Sequence, residues 1–226
     1  MKNMNLILIG KHTHSPVWTE NQLDNPLFER LGNATENLLI ISQGLTKKRT
    51  VVYKENIQLV LLPKASIGDY LFFILFSIKE IIINQKNINW NVLSASEPIG
   101  GGMASVLLNS ILKIPYIAMV QGDLLDLPSN HFSFSKRFII KYITLFVTKR
   151  ANLIRSVSQK IKENLVSEGI EKSKIYLLRN RVDLKRFDSK KLQKKREEKR
   201  KKLGWTANKV LVYSGALTYE KGIVEF

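Results

Sequence analysis

Short apolar runs, each closed by a turn-forming residue, alternate with longer segments along most of this chain, and this alternation limits the folds it can adopt. The first three runs are NLILIG (5–10), NLLIISQG (37–44) and IQLVLLP (57–63). Each run is continuously apolar rather than alternating, which is typical of parallel strands buried on both faces. The pattern therefore predicts strands that cross the interior of a sheet.

The rest of the chain continues this alternation. Four more strands are predicted at 90–96, 115–123, 152–158 and 174–180. Helices are predicted at 69–85 with Asp69 as N-cap, at 103–113, at 134–150, and at 159–168 before Gly169. The sequence thus predicts an α/β fold with a Rossmann-like, open and mostly parallel sheet covered by helices on both faces.

Composition excludes several classes of protein. The chain contains no cysteine, so disulfides and thiolate metal sites are absent. The most apolar segment (70–84) is interrupted by Lys79 and Glu80 and falls short of the roughly 18 apolar residues that a spanning helix needs. We expect a soluble, cytoplasmic protein, with peripheral contact at the inner face of a membrane left open.

The net charge of +17 is unusual and partly local. Residues 189–202, SKKLQKKREEKRKK, hold nine basic and two acidic residues and are predicted to form a solvated helix that ends near Gly204. Such a surface favours nucleotide phosphates, acidic lipid headgroups or nucleic acid. Charge alone does not select among these three partners.

The loops that follow the strands carry the candidate site, because ligands of open α/β sheets bind outside the carboxyl ends of the strands. The first loop contains Lys11, His12 and His14, which could contact an anionic or hydroxylated ligand or be polar loop residues without a role. Two histidines two residues apart, without a third ligand nearby, do not indicate a metal site.

The loop after the fourth predicted strand is SEPIGGGMAS, with Gly100, Gly101 and Gly102 before a helix. Three glycines could bring backbone amides close to a phosphate or sugar, and a plain tight turn is the equal alternative. The dinucleotide-binding fingerprint is not satisfied, because Ser105 occupies the position of its third glycine.

The loop after the fifth predicted strand contains Gln121, Gly122 and Asp123, where side chains could reach into a cleft. Asp123 is interpreted as a turn or cap residue in preference to a catalytic base. The helix predicted at 134–150 combines apolar residues with five basic ones and could dock at an anionic membrane. An ordinary core helix with a basic outer face is the favoured interpretation of that pattern.

Two stretches together resemble the family-4-like group of GT-B glycosyltransferases. Residues 152–187 contain Val157-Ser158, Gly169, the tetrad 180–183 (Asn-Arg-Val-Asp) and Phe187, in the order and spacing found where the N-terminal domain of that group ends. The last residues, Gly215-Ala216-Leu217 and Lys221-Gly222, are similar to the opening of its C-terminal domain. Weaker counterparts are Ile114-Pro115-Tyr116 and Gln121-Gly122.

This resemblance implies transfer of a sugar from a nucleotide-sugar donor to an acceptor hydroxyl, on a cell-envelope or lipid-linked glycan, without a metal or other cofactor. The donor diphosphate would be bound by Gly215, Lys221 and Gly222. The acceptor-side cleft would be lined by His12, His14, Gly100, Gly101, Gly102, Gln121, Gly122 and Asp123. No catalytic residue is assigned, and nucleic acid is not expected as a partner.

Several positions depart from the family pattern. Ala216 stands where the group has an arginine, Gln121 where it has a histidine, and Arg181 where it has a glycine. The first loop lacks the paired glycines of the group. The two donor-site glutamates of the group have no counterpart in this sequence. These departures weaken the binding of the donor phosphate that the resemblance implies.

The expected organisation is an acceptor-side domain over 1–187, a basic helical connector over 188–208, and the first strand and turn of a donor domain over 209–226. The remainder of that domain, about 150 residues, would lie outside this sequence, so the chain by itself is expected to be a fragment with little or no activity. The alternatives are a non-catalytic basic module that binds nucleic acid or acidic membrane, and a domain that pairs with a separately encoded donor domain.

Overall fold

The computed structural model describes residues 4–14, 25–65, 67–85, 88–128, 132–180, 188–207 and 209–215. The chain forms two compact units, Met1–Asn180 and Arg181–Phe226. The finer division expected from the sequence, with boundaries at 187 and 208, stays a prediction.

The first unit alternates strands and helices. Its elements are β1 (Asn5–His14), α1 (Asn25–Ala34), β2 (Asn37–Gly44), β3 (Thr50–Lys54), β4 (Ile57–Leu62), α2 (Asp69–Gln85), β5 (Val92–Ala95), a π-helical turn (Pro98–Gly102), α3 (Met103–Leu112), β6 (Tyr116–Val120), α4 (Phe134–Arg150), β7 (Leu153–Ser156), α5 (Gln159–Ser167), a 3₁₀ turn (Lys172–Lys174) and β8 (Ile175–Leu177).

The strands form one eight-stranded sheet in the order β3-β4-β2-β1-β5-β6-β7-β8. All neighbouring pairs are parallel except the antiparallel pair of β3 and β4. The predicted fold class is therefore confirmed. The chain steps to one side of β1 to form β2 and to the other side to form β5, so the switch point of the sheet lies between β1 and β5.

The core lies on both faces of this sheet. Alternate strand residues, such as Ile7 and Ile9 of β1, pack with helices α2 to α5 in one buried cluster. The intervening residues, such as Leu6 and Leu8, pack with Phe28 of α1 in a second cluster. The continuous apolar runs in the sequence are explained by this burial on both sides.

Two elements of the structure were not predicted. Strand β3 folds back on β4 as a hairpin, with Glu55 in the left-handed region at φ 51°. Helix α1 packs on the second face of the sheet through Phe28. A five-residue edge strand and a ten-residue helix carry weak periodic signals, and their stability comes from tertiary packing.

The outer face of α4 corrects the interpretation favoured from the sequence. It is not simply basic, because Phe134, Phe138, Ile139 and Tyr142 are exposed on it, while Thr144, Val147 and Thr148 are buried on the inner side. The helix thus exposes large apolar side chains together with its basic residues.

The second unit contains the basic helix α6 (Ser189–Lys202), as predicted. Its side chains from 192 to 199 are exposed, and Gly204 follows the helix in the left-handed region at φ 70°. The strand predicted over 209–215 is not formed in the structure. A strand requires ladder hydrogen bonds to a neighbour, and an apolar run alone does not provide them. Of the helices that the structure describes, none is both long and apolar enough to cross a membrane.

Candidate functional site

The glycine loop after β5 is organised around Glu97. The Glu97 carboxylate caps the π-helical turn by accepting hydrogen bonds from the backbone amides of Ile99 (2.7 Å), Gly100 (2.9 Å) and Gly101 (2.6 Å). The cluster of amides that the glycines were expected to offer to a phosphate is therefore occupied by a carboxylate of the chain itself. An anionic side chain at this position satisfies the same amides and the same positive helix end.

Glu97 was missed by the sequence interpretation, although a signal for it was present. The residue directly precedes Pro98, which lies at the first position of the turn. An acidic residue followed by proline is typical of a helix N-terminus, where the proline needs no hydrogen-bond partner for its nitrogen.

The three glycines allow close packing of this loop. A Cβ atom added to Gly101 would lie 2.4 Å from the carbonyl oxygen of Ile9 in β1, and one added to Gly102 would lie 2.8 Å from Cγ1 of Val147 in α4. Gly100, Gly101 and Gly102 are all buried. Their small size lets the π-helical turn approach the end of β1, which explains them without a ligand.

The end of β1 bulges at the switch point. The pairing of β1 with β2 runs from Ile9–Ile41 to Thr13–Gln43, so the stretch between Ile9 and Thr13 contains two more residues than its partner. This bulge holds Gly10, Lys11 and His12. Bulges of this kind redirect side chains at the end of a strand and are common next to functional sites.

Lys11 connects the bulge to two other elements. Its Nζ atom lies 2.7 Å from Oδ2 of Asp69 and 4.3 Å from the ring centroid of Tyr70, both at the start of α2. Its backbone nitrogen lies 3.4 Å from Oε1 of Glu97. The lysine side chain is largely buried, and its charge is balanced by the carboxylate of Asp69. It therefore contributes little to an open anion-binding surface.

Asp69 is held ionised by its surroundings. Oδ1 accepts hydrogen bonds from Nε2 of Gln43 (2.8 Å) and from the backbone nitrogen of Ala65 (2.9 Å). Desolvation opposes ionisation of this carboxylate, but the hydrogen bonds from Lys11, Gln43 and Ala65, with the charge of Lys11, outweigh it and lower the pKa of Asp69 to about 2. Asp69, which is the first residue of α2, thus joins this helix to β1 and β2.

The two histidines of the first loop lie in different environments. His12 is exposed, whereas His14 is buried, with its ring 5.5 Å from that of Phe28 in α1. Of this pair, His12 alone presents its imidazole to solvent. His14 belongs to the packing between the end of β1 and α1.

The loop after β6 is tied to its neighbours. Gln121 donates from Nε2 to the carbonyl oxygen of Ser96 (2.9 Å) and so joins this loop to the glycine loop. Gly122 is exposed, with no atom within 4 Å of an added Cβ. Oδ2 of Asp123 accepts from Nδ2 of Asn164 (3.0 Å) and lies 3.3 Å from Nζ of Lys160, so Asp123 is directed toward α5.

The predicted donor-side residues belong to the second unit. Gly215 is exposed beside the ring of Tyr213. Lys221 and Gly222 lie outside the described residues. Within the described ranges, no three His, Asp or Glu side chains come together as metal ligands. The independence of metal stays a prediction.

The arrangement as a whole is a polar surface at the switch point. The residues exposed there are His12, Gln121 and Gly122. Contacts of Lys11 with Asp69 and Glu97 join the bulge of β1 to α2 and to the glycine loop, and Gln121 joins the loop after β6 to the same glycine loop. Imidazole and amide groups can form hydrogen bonds with hydroxyl groups of a ligand. The amides of Ile99, Gly100 and Gly101 at this surface are hydrogen-bonded to Glu97 and are not free for a phosphate.

Comparison of the sequence with known proteins gives no match to a protein family or to a curated protein. The fold, in contrast, is similar to that of solved structures. Sucrose-phosphate synthase from Thermosynechococcus elongatus matches with a TM-score of 0.60 and 10% identity, over 80% of this chain and 49% of that protein.

A glycosyltransferase from Rickettsia africae matches with a TM-score of 0.55 and 18% identity, over 91% of this chain and 51% of that one. UDP-GlcNAc 2-epimerase from Neisseria meningitidis, in a structure bound to UDP-GlcNAc, matches with a TM-score of 0.55 and 13% identity, over 87% and 53%. The chain thus spans about half the length of these proteins. At these identities the likeness shows the fold, which is that of one half of a GT-B protein.

Proposed function

We propose that this chain is the acceptor-side half of a glycosyltransferase that moves a sugar from a nucleotide-sugar donor to an acceptor hydroxyl. The observation that carries the proposal is that the sheet matches about half of each of several proteins that include a glycosyltransferase. The sequence motifs at 152–187 and 215–222 favour the same assignment.

In this proposal the acceptor binds at the switch-point surface. His12 and Gln121 are exposed and can form hydrogen bonds with its hydroxyls, and no atom lies within 4 Å of a Cβ added to Gly122. Asp123 is directed toward α5, His14 packs on Phe28, and the three buried glycines pack against neighbouring elements, so these residues are assigned no contact with the acceptor. The acceptor is a cell-envelope or lipid-linked glycan.

The chemistry requires charge on the donor side. The acceptor oxygen forms a bond to the anomeric carbon, the bond from that carbon to the diphosphate breaks, and the hydroxyl proton is lost to a base that is not assigned. The departing diphosphate needs preorganised positive charge and amide donors. We assign these to Lys221 with Gly215 and Gly222, with no metal and no other cofactor.

Binding of the donor is tested by calorimetry with UDP-, GDP- and ADP-sugars. The protein used is the product of the complete reading frame that contains this sequence. One nucleotide sugar is expected to bind, and Lys221→Ala should weaken it by tenfold or more, because a charged contact to phosphate contributes about 1.5–3 kcal/mol. Lys209→Ala is the matched control and should bind as the parent does. If none of the nucleotide sugars bound to the protein, the proposal would be contradicted.

An epimerase is the rival that shares this fold, since UDP-GlcNAc 2-epimerase also matches it. The motif resemblance favours the transferase. The two are separated by the product: a transferase releases free nucleotide only as sugar appears on an acceptor, whereas an epimerase changes the sugar while it remains a nucleotide sugar.

A binding module without catalysis is the second candidate, and the exposed basic helix α6 is the observation that favours it. Binding through this helix alone would be electrostatic and would weaken steeply with salt. A protein that binds RNA or DNA in this manner and binds no nucleotide sugar would support the second candidate over the first.

A further inference from the structure

Three helices lie side by side on one face of the sheet. Helix α3 packs between α2 and α4, and all three contribute to the larger core cluster. Their inner sides are buried in that cluster, so their outer sides form one layer of protein surface. An ordinary helix in such a layer has polar residues on its outer side.

The outer side of α4 is apolar instead. Phe134 is 81% exposed, Phe138 63%, Ile139 55% and Tyr142 63%. Phe134, Phe138 and Tyr142 follow one another at steps of four residues, and Ile139 lies three residues before Tyr142, so the four side chains lie on one side of the helix. Further exposed large apolar side chains lie on the two adjacent helices, at Leu71, Leu75, Leu107 and Ile111. We call the four exposed side chains Phe134, Phe138, Ile139 and Tyr142 of α4 the apolar stripe. Exposed apolar patches of this kind are typical of interaction surfaces.

The charged residues of α4 itself all have one sign. Helix α4 contains five basic residues and no acidic residue. The guanidinium of Arg150 lies 3.8 Å from the ring centroid of Phe146, and Nζ of Lys136 lies 5.0 Å from that of Phe132. Lys141 pairs with Glu168 of the following segment. Aromatic rings next to cations are the composition of helices that lie in the headgroup region of a bilayer.

We propose that this face of α4 docks on the surface of an anionic lipid bilayer. The rings of Phe138 and Tyr142 enter the headgroup region, and Lys136, Lys149 and Arg150 contact lipid phosphates. The proposal names a surface for membrane contact and does not depend on the transferase activity. A second copy of the chain is disfavoured as the occupant, since a symmetric contact would place two basic helices against each other. Nucleic acid is disfavoured because it gives no reason for exposed Phe and Ile side chains.

The first test is flotation of the protein with lipid vesicles. Vesicles of equimolar phosphatidylglycerol and phosphatidylcholine should carry the protein upward, and vesicles of pure phosphatidylcholine should carry little of it. Replacing both Lys136 and Lys149 by Gln should weaken partitioning about 25-fold, from roughly fivefold per basic residue near an anionic surface. Lys47→Gln with Lys48→Gln, in the exposed loop after β2, is the matched control and should bind as the parent does.

The apolar contribution is tested separately. Phe138→Ser with Tyr142→Ser should lower partitioning by about 100-fold or more, because two aromatic side chains that leave water in the bound state are lost. Tyr53→Ser, an exposed tyrosine on the edge strand β3, is the control. Both positions on α4 are exposed, so folding should be retained, and thermal unfolding followed by circular dichroism verifies this.

A third measurement locates the contact and separates it from binding through α6. In a Phe138→Trp variant, lipids brominated in the acyl chain should quench more fluorescence than in the parent, whose own tryptophans are Trp18, Trp90 and Trp205. A Tyr53→Trp variant should show no such increase. Vesicle binding without quenching at position 138, or equal binding to both vesicle types, would overturn the proposal. So would self-association of the parent, measured by light scattering, that the Phe138→Ser, Tyr142→Ser variant abolishes.

Discussion

The carboxylate of Glu97 lies 2.6 Å from the backbone nitrogen of Gly101, inside the turn that three consecutive glycines form. The amides of Ile99 and Gly100 point to the same carboxylate. A glycine loop before a helix is ordinarily a place where a chain can bind an anion from outside. Here the anion is part of the chain, and the loop joins β1, α3 and α4 at the switch point.

Replacing Glu97 by Ala should destabilise the protein by about 3 kcal/mol, because three backbone amides lose a charged acceptor at once. Urea unfolding measures the change. Glu36→Ala removes an exposed carboxylate from the same unit and should change stability by less than about 0.5 kcal/mol. If the two variants were equally stable, the capping role of Glu97 would be wrong.

Gly101 and Gly122 differ in the space around their Cα atoms. An added Cβ at Gly101 meets the backbone oxygen of Ile9 at 2.4 Å, and at Gly122 it meets nothing within 4 Å. Gly101→Ala should therefore cost about 3 kcal/mol through overpacking, whereas Gly122→Ala should be neutral within about 1 kcal/mol. Thermal unfolding of both variants gives the comparison, and a tolerated alanine at position 101 would contradict it.

The ion pair of Asp69 with Lys11 should give stability that depends on pH. The pKa of Asp69 is lowered in the folded state to about 2, so the folded protein holds this carboxylate ionised at pH values where the unfolded chain protonates it. The contribution is complete above about pH 5 and is lost as the pH falls from about 4 toward 2.

Urea unfolding of the parent and of Asp69→Asn between pH 3 and pH 6 tests this dependence. The stability difference between the two proteins should be largest at pH 6 and should shrink as the pH falls. Asp126→Asn, at an exposed carboxylate, is the control and should change stability by less than about 0.5 kcal/mol. A constant difference for Asp69→Asn would show that the ion pair does not control the titration.

The parallel sheet was predictable because its strands are buried on both faces, which leaves continuous apolar runs such as 37–44 in the sequence. Strand β3 was not, because an edge strand of five residues has one pairing neighbour and few buried side chains. The run at 209–215 shows the converse, since it has the composition of a strand and no ladder in the structure.

The set of loops at the carboxyl ends of the strands could be predicted from the sequence, but the side-chain contacts among those loops could not. Which loops lie at the carboxyl ends of the strands follows from the order of elements alone. That Lys11 turns to Asp69 depends on the bulge in β1, and that His14 packs on Phe28 depends on the position of α1. Contacts between side chains distant in the sequence are set by tertiary packing and leave no periodic signal.

Transfer of a labelled sugar tests the central claim most directly. The product of the complete reading frame would be incubated with ¹⁴C-labelled nucleotide sugars and a lipid extract from the source organism, and label in the lipid fraction would be counted. We predict that label from one donor moves to the lipid or glycan fraction with release of an equal amount of nucleotide, and that an Ala replacement at Lys221 reduces the rate by tenfold or more, from the loss of one charged contact to the diphosphate. Label that stays entirely on the nucleotide sugar, whether unchanged or epimerised, would contradict the claim.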